Sequence, residues 1–398
     1  MVQNQLPYLD LADPEFSTRS TEVLKARDQN WCARTPYGLA VLQHHMAGRV
    51  LRDRRFRQGS HTWPDFKDLK GSFAEFWKRS IISLEGPEHK QARQIAMTAL
   101  NEDFILGLSG RFSEAAENLV ENLRGNPQFD FVNGFSEPYA GLAMTAVFGL
   151  SNDMAASIAH DASRLGLAMG LEAKTHEPVF NAACDRLASL ATELIARTRH
   201  HQDTRSFVAR LCKAAEQFPG INDQVLIDLI VIAIFGGVDT TRAQLAFAME
   251  LFVRHPGQWS YLRAHPERVS AAVEEIIRCR PTTTWSSREA MEDVRLDGVT
   301  IEAGETVHVL VHATATDPAV REQPEFDITR DQRIHFGFGG GAHHCLGQFM
   351  ARTDMAKALD VLAANWSEIH FAEPPRYLPD SGNTSPVSMI VKPVWTAS

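Results

Sequence analysis

The sequence opens without a secretory pattern: residues 1–16 hold no basic stretch followed by an apolar run, so no signal peptide is expected. Cysteine is scarce. Cys32, Cys184, Cys212, Cys279 and Cys345 are odd in number and widely spaced, which excludes a disulfide framework and a paired C-x-x-C zinc site and predicts free thiols in a reducing cytoplasm. Positive charge is short too, with 40 Lys and Arg against 49 Asp and Glu, a net charge of −9 that no basic block offsets. That balance opposes attachment to nucleic acid or anionic lipid. Long apolar runs are also missing. The most apolar stretch, Val225 to Val238, is broken by Asp228, and its uncharged part is too short for the roughly 30 Å core of a bilayer. Neither a nucleic-acid partner nor a membrane is therefore expected, and there is no fixed-period repeat, low-complexity tract or long linker.

What the chain does carry is helical periodicity. Apolar residues recur at helical spacing over 109–125, 134–149, 155–172, 177–200 and 222–253. Strand patterns are short and lie toward the two ends. Residues 31–42 read as a hairpin turning at Pro36-Tyr37-Gly38, residues 294–311 as turned strands around Asp297-Gly298 and Ala303-Gly304, and the tail ends in an apolar strand near Val387–Val391. The expected fold is mainly α with a small β flank, in one domain over 1–398. The helical core covers about 87–280 and 345–365; the β-rich parts cover about 31–43, 294–311 and 366–395.

The stretch 335–352, HFGFGGGAHHCLGQFMAR, is the most informative. Four glycines precede Cys345 and Gly347 follows it, a density tolerated where the backbone needs unusual torsions or a bulky group approaches. Downstream, Leu346, Phe349, Met350, Met355, Leu359 and Leu362 form an apolar helical stripe, so Cys345 stands at a helix start, where free N–H groups favour a thiolate. A phosphate cradle is a competing reading, but the Walker lysine and the GxGxxG register are absent. Zinc held by His343, His344 and Cys345 is another, though neighbouring loop residues seldom surround one tetrahedral ion. Alone, Cys345 would most simply be a buried structural thiol.

Phe338-Gly339-Gly340-Gly341-Ala342-His343-His344-Cys345-Leu346-Gly347 resembles the haem-binding signature of the cytochrome P-450 superfamily, Phe-Gly-x-Gly-x-(His or Arg)-x-Cys-x-Gly, at every constrained position. The resemblance implies a triangular helical domain with a long central helix over haem b (iron protoporphyrin IX). Cys345 is then the thiolate ligand to iron, Phe338 packs beside the sulfur, and His343 points at a propionate. Gly347 and the other glycines let backbone N–H groups approach the sulfur.

Further signatures follow in order. Glu275 and Arg278, i and i+3 on one helix face, resemble the family's buried Glu-x-x-Arg pair, with Arg330 as third member of a structural network. Gly236 and Gly237 interrupt the 222–253 helix at a cost of about 1 kcal/mol each relative to Ala, and by resemblance make room for dioxygen. Asp239 and Thr240 resemble the acid–alcohol pair that relays protons. His89 and Arg93 share a helix face and, with Arg288, resemble the propionate anchors. One departure is Ala315-Thr316, where many bacterial relatives have Asn-Arg.

The implied function is a monooxygenase acting on a small hydrophobic molecule in the cytoplasm, with NAD(P)H electrons delivered through a separate reductase and an acidic ferredoxin. Lys90 and Arg352 are candidate ferredoxin contacts. By analogy the substrate pocket draws on the 60–84 loop (Phe73, Phe76, Trp77), the 164–182 region, Ile232, Phe235 and Gly236, the 282–285 segment ending in Trp285, and 386–389 with Val387. Alternatives within reach of the same residues are a peroxide-using or atypical P-450 reaction, and a non-catalytic haem-binding sensor.

Overall fold

The computed structural model describes residues 6–201, 204–330 and 335–396. The element that organises it is the helix Asp223–Arg254, capped by the Asn222 side chain accepting from the Val225 N–H. Every residue from Thr241 to Phe252 is buried, so this half has no solvent face. Among the described residues it is the one helix long and apolar enough to cross a membrane, but most of its apolar window is buried inside the protein, which makes it a core helix. Residues 225–238 taken alone understated it, because the apolar pattern continues past the glycines.

Against it pack the helices Gly86–Ala99, Glu137–Phe148, Ala155–Gly166, Glu177–His201, Val269–Cys279 and Gln348–Asn365, and Ser109–Leu123 packs on Glu137–Phe148 and Gln348–Asn365. Two expected helices differ at their ends. A π-helical turn, Val132–Ser136, precedes Glu137–Phe148, and the helix from Ala155 stops at Gly166 and gives way to a 3-10 turn at Leu167–Met169.

The β flank is a five-stranded sheet in the order Cys32–Thr35, Gly38–Val41, Thr306–Leu310, Trp285–Ala290, Phe56–Gln58. The 31–42 hairpin is present in register Cys32 to Val41. The 294–311 segment divides: Val294–Leu296 and Val299–Ile301 pair with each other around Asp297-Gly298, whereas Thr306–Leu310 leaves them and runs parallel to Gly38–Val41. Asp297 and Gly298 both have positive φ, which the tight two-residue turn requires. A second sheet, Phe129–Asp130, Ile390–Trp395 and Trp366–Phe371, closes the opposite corner.

A buried ion network locks the helix Val269–Cys279 to the segment ahead of the glycine loop. Arg278 is fully buried and donates twice to the Glu275 carboxylate, each at 2.8 Å, and again to the carbonyls of Ala315 and Pro324. The third member is Arg321, 3.2 Å from Glu275, and not Arg330. Arg330 is held in its own turn by Gln323 and Asp327, out of reach of Glu275. At Ala315-Thr316 the guanidinium comes from elsewhere: Arg27 of the first helix donates to the Ala313 carbonyl and the Thr316 hydroxyl.

The two ends of the chain meet. Asp380, nearly buried, accepts at 2.8 Å from both the backbone N–H and the hydroxyl of Thr18.

Candidate active site

The glycine loop is set by its own backbone. Gly339 N–H donates to Phe336 O and Cys345 N–H to Phe338 O, each at 2.8 Å, closing a turn that presents Cys345 just ahead of the helix Gln348–Asn365. Gly341 shows why glycine is needed: its φ is +69°, and a Cβ there would lie 2.1 Å from the Leu51 carbonyl oxygen. The Arg352 guanidinium lies over the Phe338 ring at 4.4 Å. It also pairs with the buried Glu274, so this half-exposed candidate contact has its charge already partnered. Burial opposes ionisation of Glu274, but hydrogen bonds from His335 and Arg352 overcome it and bring the carboxyl down to about 2.

Above the loop lies a cavity of about 730 Å³, well within the range of small-molecule sites. Cys345, Phe338, Gly347, His343, His89 and Arg93 line it from below; Ile232, Phe235, Gly236 and Thr240 of the long helix line it from the facing side, with Trp77 and Trp285 at its margins. Phe73 and Phe76 do not. Phe73 is fully buried among Trp77, Phe76 and Phe180, so these two phenylalanines are core beneath the lid rather than pocket wall. Val387 is partly exposed and also misses the cavity, because the strand Pro386–Ser388 alternates and turns that side chain outward; Gly382 and Asn383 of the preceding turn line the cavity instead.

The glycine pair separates in the same way. A Cβ on Gly236 would meet nothing within 4 Å, whereas one on Gly237 would lie 2.5 Å from the Met144 sulfur. Gly236 leaves open space; Gly237 lets a neighbouring helix approach. Thr240 faces the cavity and its hydroxyl donates to the Gly236 carbonyl. Asp239 does not line the cavity. It is buried, 2.8 Å from Arg242, which also holds the Ser385 hydroxyl. Arg242 was legible only as an i, i+3 partner of Asp239, and Arg321 and Asn383 had no periodic signal at all.

Four cationic or potentially cationic side chains gather at one rim. His89 and His343 stack with ring centroids 4.1 Å apart, and His343 reaches Glu85 at 3.0 Å. Burial, and then the neighbouring His343, push His89 down to about 4, while Glu85 pulls the other way. Arg93 donates to the His344 carbonyl. Arg288 stands just behind the wall, 4% exposed, on three neutral acceptors from Gln58, Ser287 and Gly340. Burial lowers it to about 10.

These features suit a dianionic, iron-bearing macrocycle. Among the described residues the buried His89 Nε2 has no hydrogen-bond partner, and the Arg288 guanidinium donates to no carboxylate. The Cys345 thiol is pushed up by burial against the pull of the Gly347 N–H, Arg93 and Arg352, so a metal cation is the partner that would make it a thiolate. Zinc finds no ligand set: among the described residues no group of three or more His, Cys, Asp or Glu side chains could hold a metal ion.

Comparison with known proteins agrees with this geometry. The family model described as Cytochrome P450 matches residues 263–367. Luteothin monooxygenase of Streptomyces thioluteus is 31% identical over 90% of this chain and 89% of its own length. Mycinamicin IV hydroxylase/epoxidase of Micromonospora griseorubida is 30% identical, with 83% of each chain covered. Among solved structures, P450BioI in complex with an acyl carrier protein carrying hexadec-9Z-enoic acid superposes with a TM-score of 0.85 at 22% identity, over 94% of this chain and 97% of that one. Epothilone B-bound P450epoK gives 0.86 at 20%, over 95% and 99%. The fold, the cysteine loop and relatives aligned along most of their length lead to one conclusion: the chain belongs to the cytochrome P450 family and is a monooxygenase whose cofactor is haem.

Proposed function

We propose that this P450, acting as one domain in the cytoplasm, hydroxylates an unactivated C–H bond of a small hydrophobic molecule, with electrons reaching it from NAD(P)H through a separate reductase and ferredoxin. The observation that carries the reading is that Cys345 of the glycine loop and Thr240 of the long helix line one largely apolar cavity. Bound haem supplies oxygen activation there, one oxygen atom going to substrate and the other to water, and thiolate ligation favours cleavage of the O–O bond.

The chain's own residues do the rest. Cys345 would hold the iron from the loop side, and His89, Arg93, His343 and Arg288 would take the propionates by charge-assisted hydrogen bonds. Ile232, Phe235 and Trp285 orient an apolar substrate and keep water out. Thr240, whose Oγ1 proton is held on the Gly236 carbonyl, would pass it into the cavity; Asp239, once its pairing with Arg242 opens, would take a proton from solvent and replace it. Lys90, exposed on the helix Gly86–Ala99, is offered as a ferredoxin contact.

The test is spectroscopic and kinetic. Cys345→Ser should abolish the red-shifted absorption of the reduced, carbon monoxide-bound protein together with turnover; retention of both would overturn the reading. Thr240→Ala should leave oxygen consumption running while product falls. A haem sensor would be indifferent to that change. Activity with ferredoxin and NAD(P)H that survives added catalase separates the proposal from peroxide-driven chemistry.

A further inference from the structure

Several polar side chains of the cavity wall have their hydrogen bonds taken. Thr240 donates to Gly236 O and Thr241 to the Asp354 carboxyl. Gln244 is spent at both ends, its Nε2 on the Arg280 carbonyl and its Oε1 on the backbone and hydroxyl of Thr282. Ser60 keeps an unpartnered hydroxyl, but it adjoins the Gln58-Gly59 edge against Arg288, on the cofactor rim.

Asn383 is different. It lines the cavity, and its Oδ1 accepts from the Thr283 hydroxyl at 3.2 Å, which fixes the amide's orientation. Among the described residues no acceptor takes its Nδ2. The turn that carries it is held from several directions: Thr384 N–H donates to Thr282 O, Thr284 N–H to Gly382 O, and the Ser381 hydroxyl to Asn383 O. A donor held this firmly is preorganised, so little ordering entropy is lost when it meets a ligand. Ile232, Phe235 and Met144 of the same lining have no strong hydrogen-bond acceptor to offer it from an aliphatic, aromatic or thioether side chain. An apolar ligand closing over Asn383 would strand two N–H donors, and that penalty discriminates against it.

We propose that Asn383 is a specificity-determining residue whose amide N–H groups bond an acceptor oxygen of the substrate. The substrate class is then an apolar molecule bearing a carbonyl or ether oxygen away from the carbon to be oxidised. The proposal rests on the monooxygenase reading of the same cavity.

The test uses iron-anchored probes on the haem-loaded protein. A series of phenylimidazoles carries a para-acetyl group on no, one, two or three methylene groups, each beside its ethyl counterpart, and affinities are read from the azole–iron difference spectrum. At one spacer length or more, the acetyl probe should bind wild type about three- to tenfold tighter than its ethyl partner, the size of one added hydrogen bond. In Asn383→Ala and Asn383→Leu that ratio should fall to near one, with the ethyl probes unaffected. Thr283→Val, which frees the amide to turn, should lower the ratio partway. The carbon monoxide spectrum of each variant reports whether the site is intact, and Asn383→Asp, which keeps the shape and the acceptor for Thr283 but has no N–H, replaces any variant that is not. No acetyl advantage at any length, or an advantage that survives both truncations, would overturn the proposal. Absence of any azole–iron spectrum would instead overturn the haem-site reading beneath it.

Discussion

At the residue scale, the most demanding groups are charges buried with incomplete partners. Asp354, on the helix that follows the cysteine loop, is fully buried, accepts from Thr241 at 3.1 Å and leaves Oδ1 unpartnered. Burial raises its carboxyl to about 8, against which the Thr241 hydrogen bond does little. Between about pH 4 and pH 8 the folded protein therefore holds a proton that the unfolded chain releases, so stability falls as pH rises through that window, at up to roughly 1.4 kcal/mol per pH unit. Asp354→Asn should flatten this slope, read by urea unfolding at several pH values, because Asn still accepts from Thr241 and has no proton to lose. The Glu275 network makes a second residue-level prediction. Arg321→Met should cost about 3–5 kcal/mol by leaving a buried carboxylate with one partner fewer, while Arg330→Ala should cost less than about 1 kcal/mol. Equal losses would restore Arg330 to the network.

At the scale of elements, the long helix separates what a sequence can and cannot tell. Its glycine pair is visible as an anomaly, since two glycines weaken a helix interior. That they serve different ends depends on what packs against each. Gly237→Ala should destabilise the protein by about 1–3 kcal/mol through overpacking on Met144, and the double variant with Met144→Ala should lose less than the two single losses combined. Gly236→Ala should leave unfolding midpoints unchanged or higher while reducing turnover, because its methyl group enters the cavity. The same limit explains the pocket corrections. Cys345, His89, Arg93 and Thr240 were legible as site residues because the segments that carry them resemble the family's signatures, and all four line the cavity. Phe73, Phe76 and Val387 were not, because which face an aromatic or a strand residue presents is decided by neighbours distant in sequence. Arg321 displaced Arg330 for a similar reason: two arginines nine residues apart compete for one carboxylate, and only the path of the intervening turn decides between them.

At the scale of the whole molecule, core and cofactor site share the same helices, so haem occupancy and folding are coupled. A ligand bound only by the folded state stabilises it by mass action. Stripping haem should lower the unfolding midpoint and refilling should restore it. Arg288→Leu should weaken haem retention roughly 10- to 100-fold, measured by transfer to a haem-scavenging globin, without lowering the stability of the haem-free protein. The reason is that Arg288, among neutral acceptors alone, is a buried charge awaiting an anion. The mainly helical class was readable from periodicity, whereas the parallel joining of Thr306–Leu310 to Gly38–Val41 was not, since no local pattern in either strand names its partner.

The clasp between Thr18 and Asp380 carries a practical consequence. Asp380 lies three residues before Asn383, so the segment around Thr18 acts as a guy-rope for one wall of the reaction chamber. A tag, cleavage or substitution near position 18 would therefore be felt less as lost folding than as slackened selectivity: the protein would still bind its pigment, yet sort its guests less strictly.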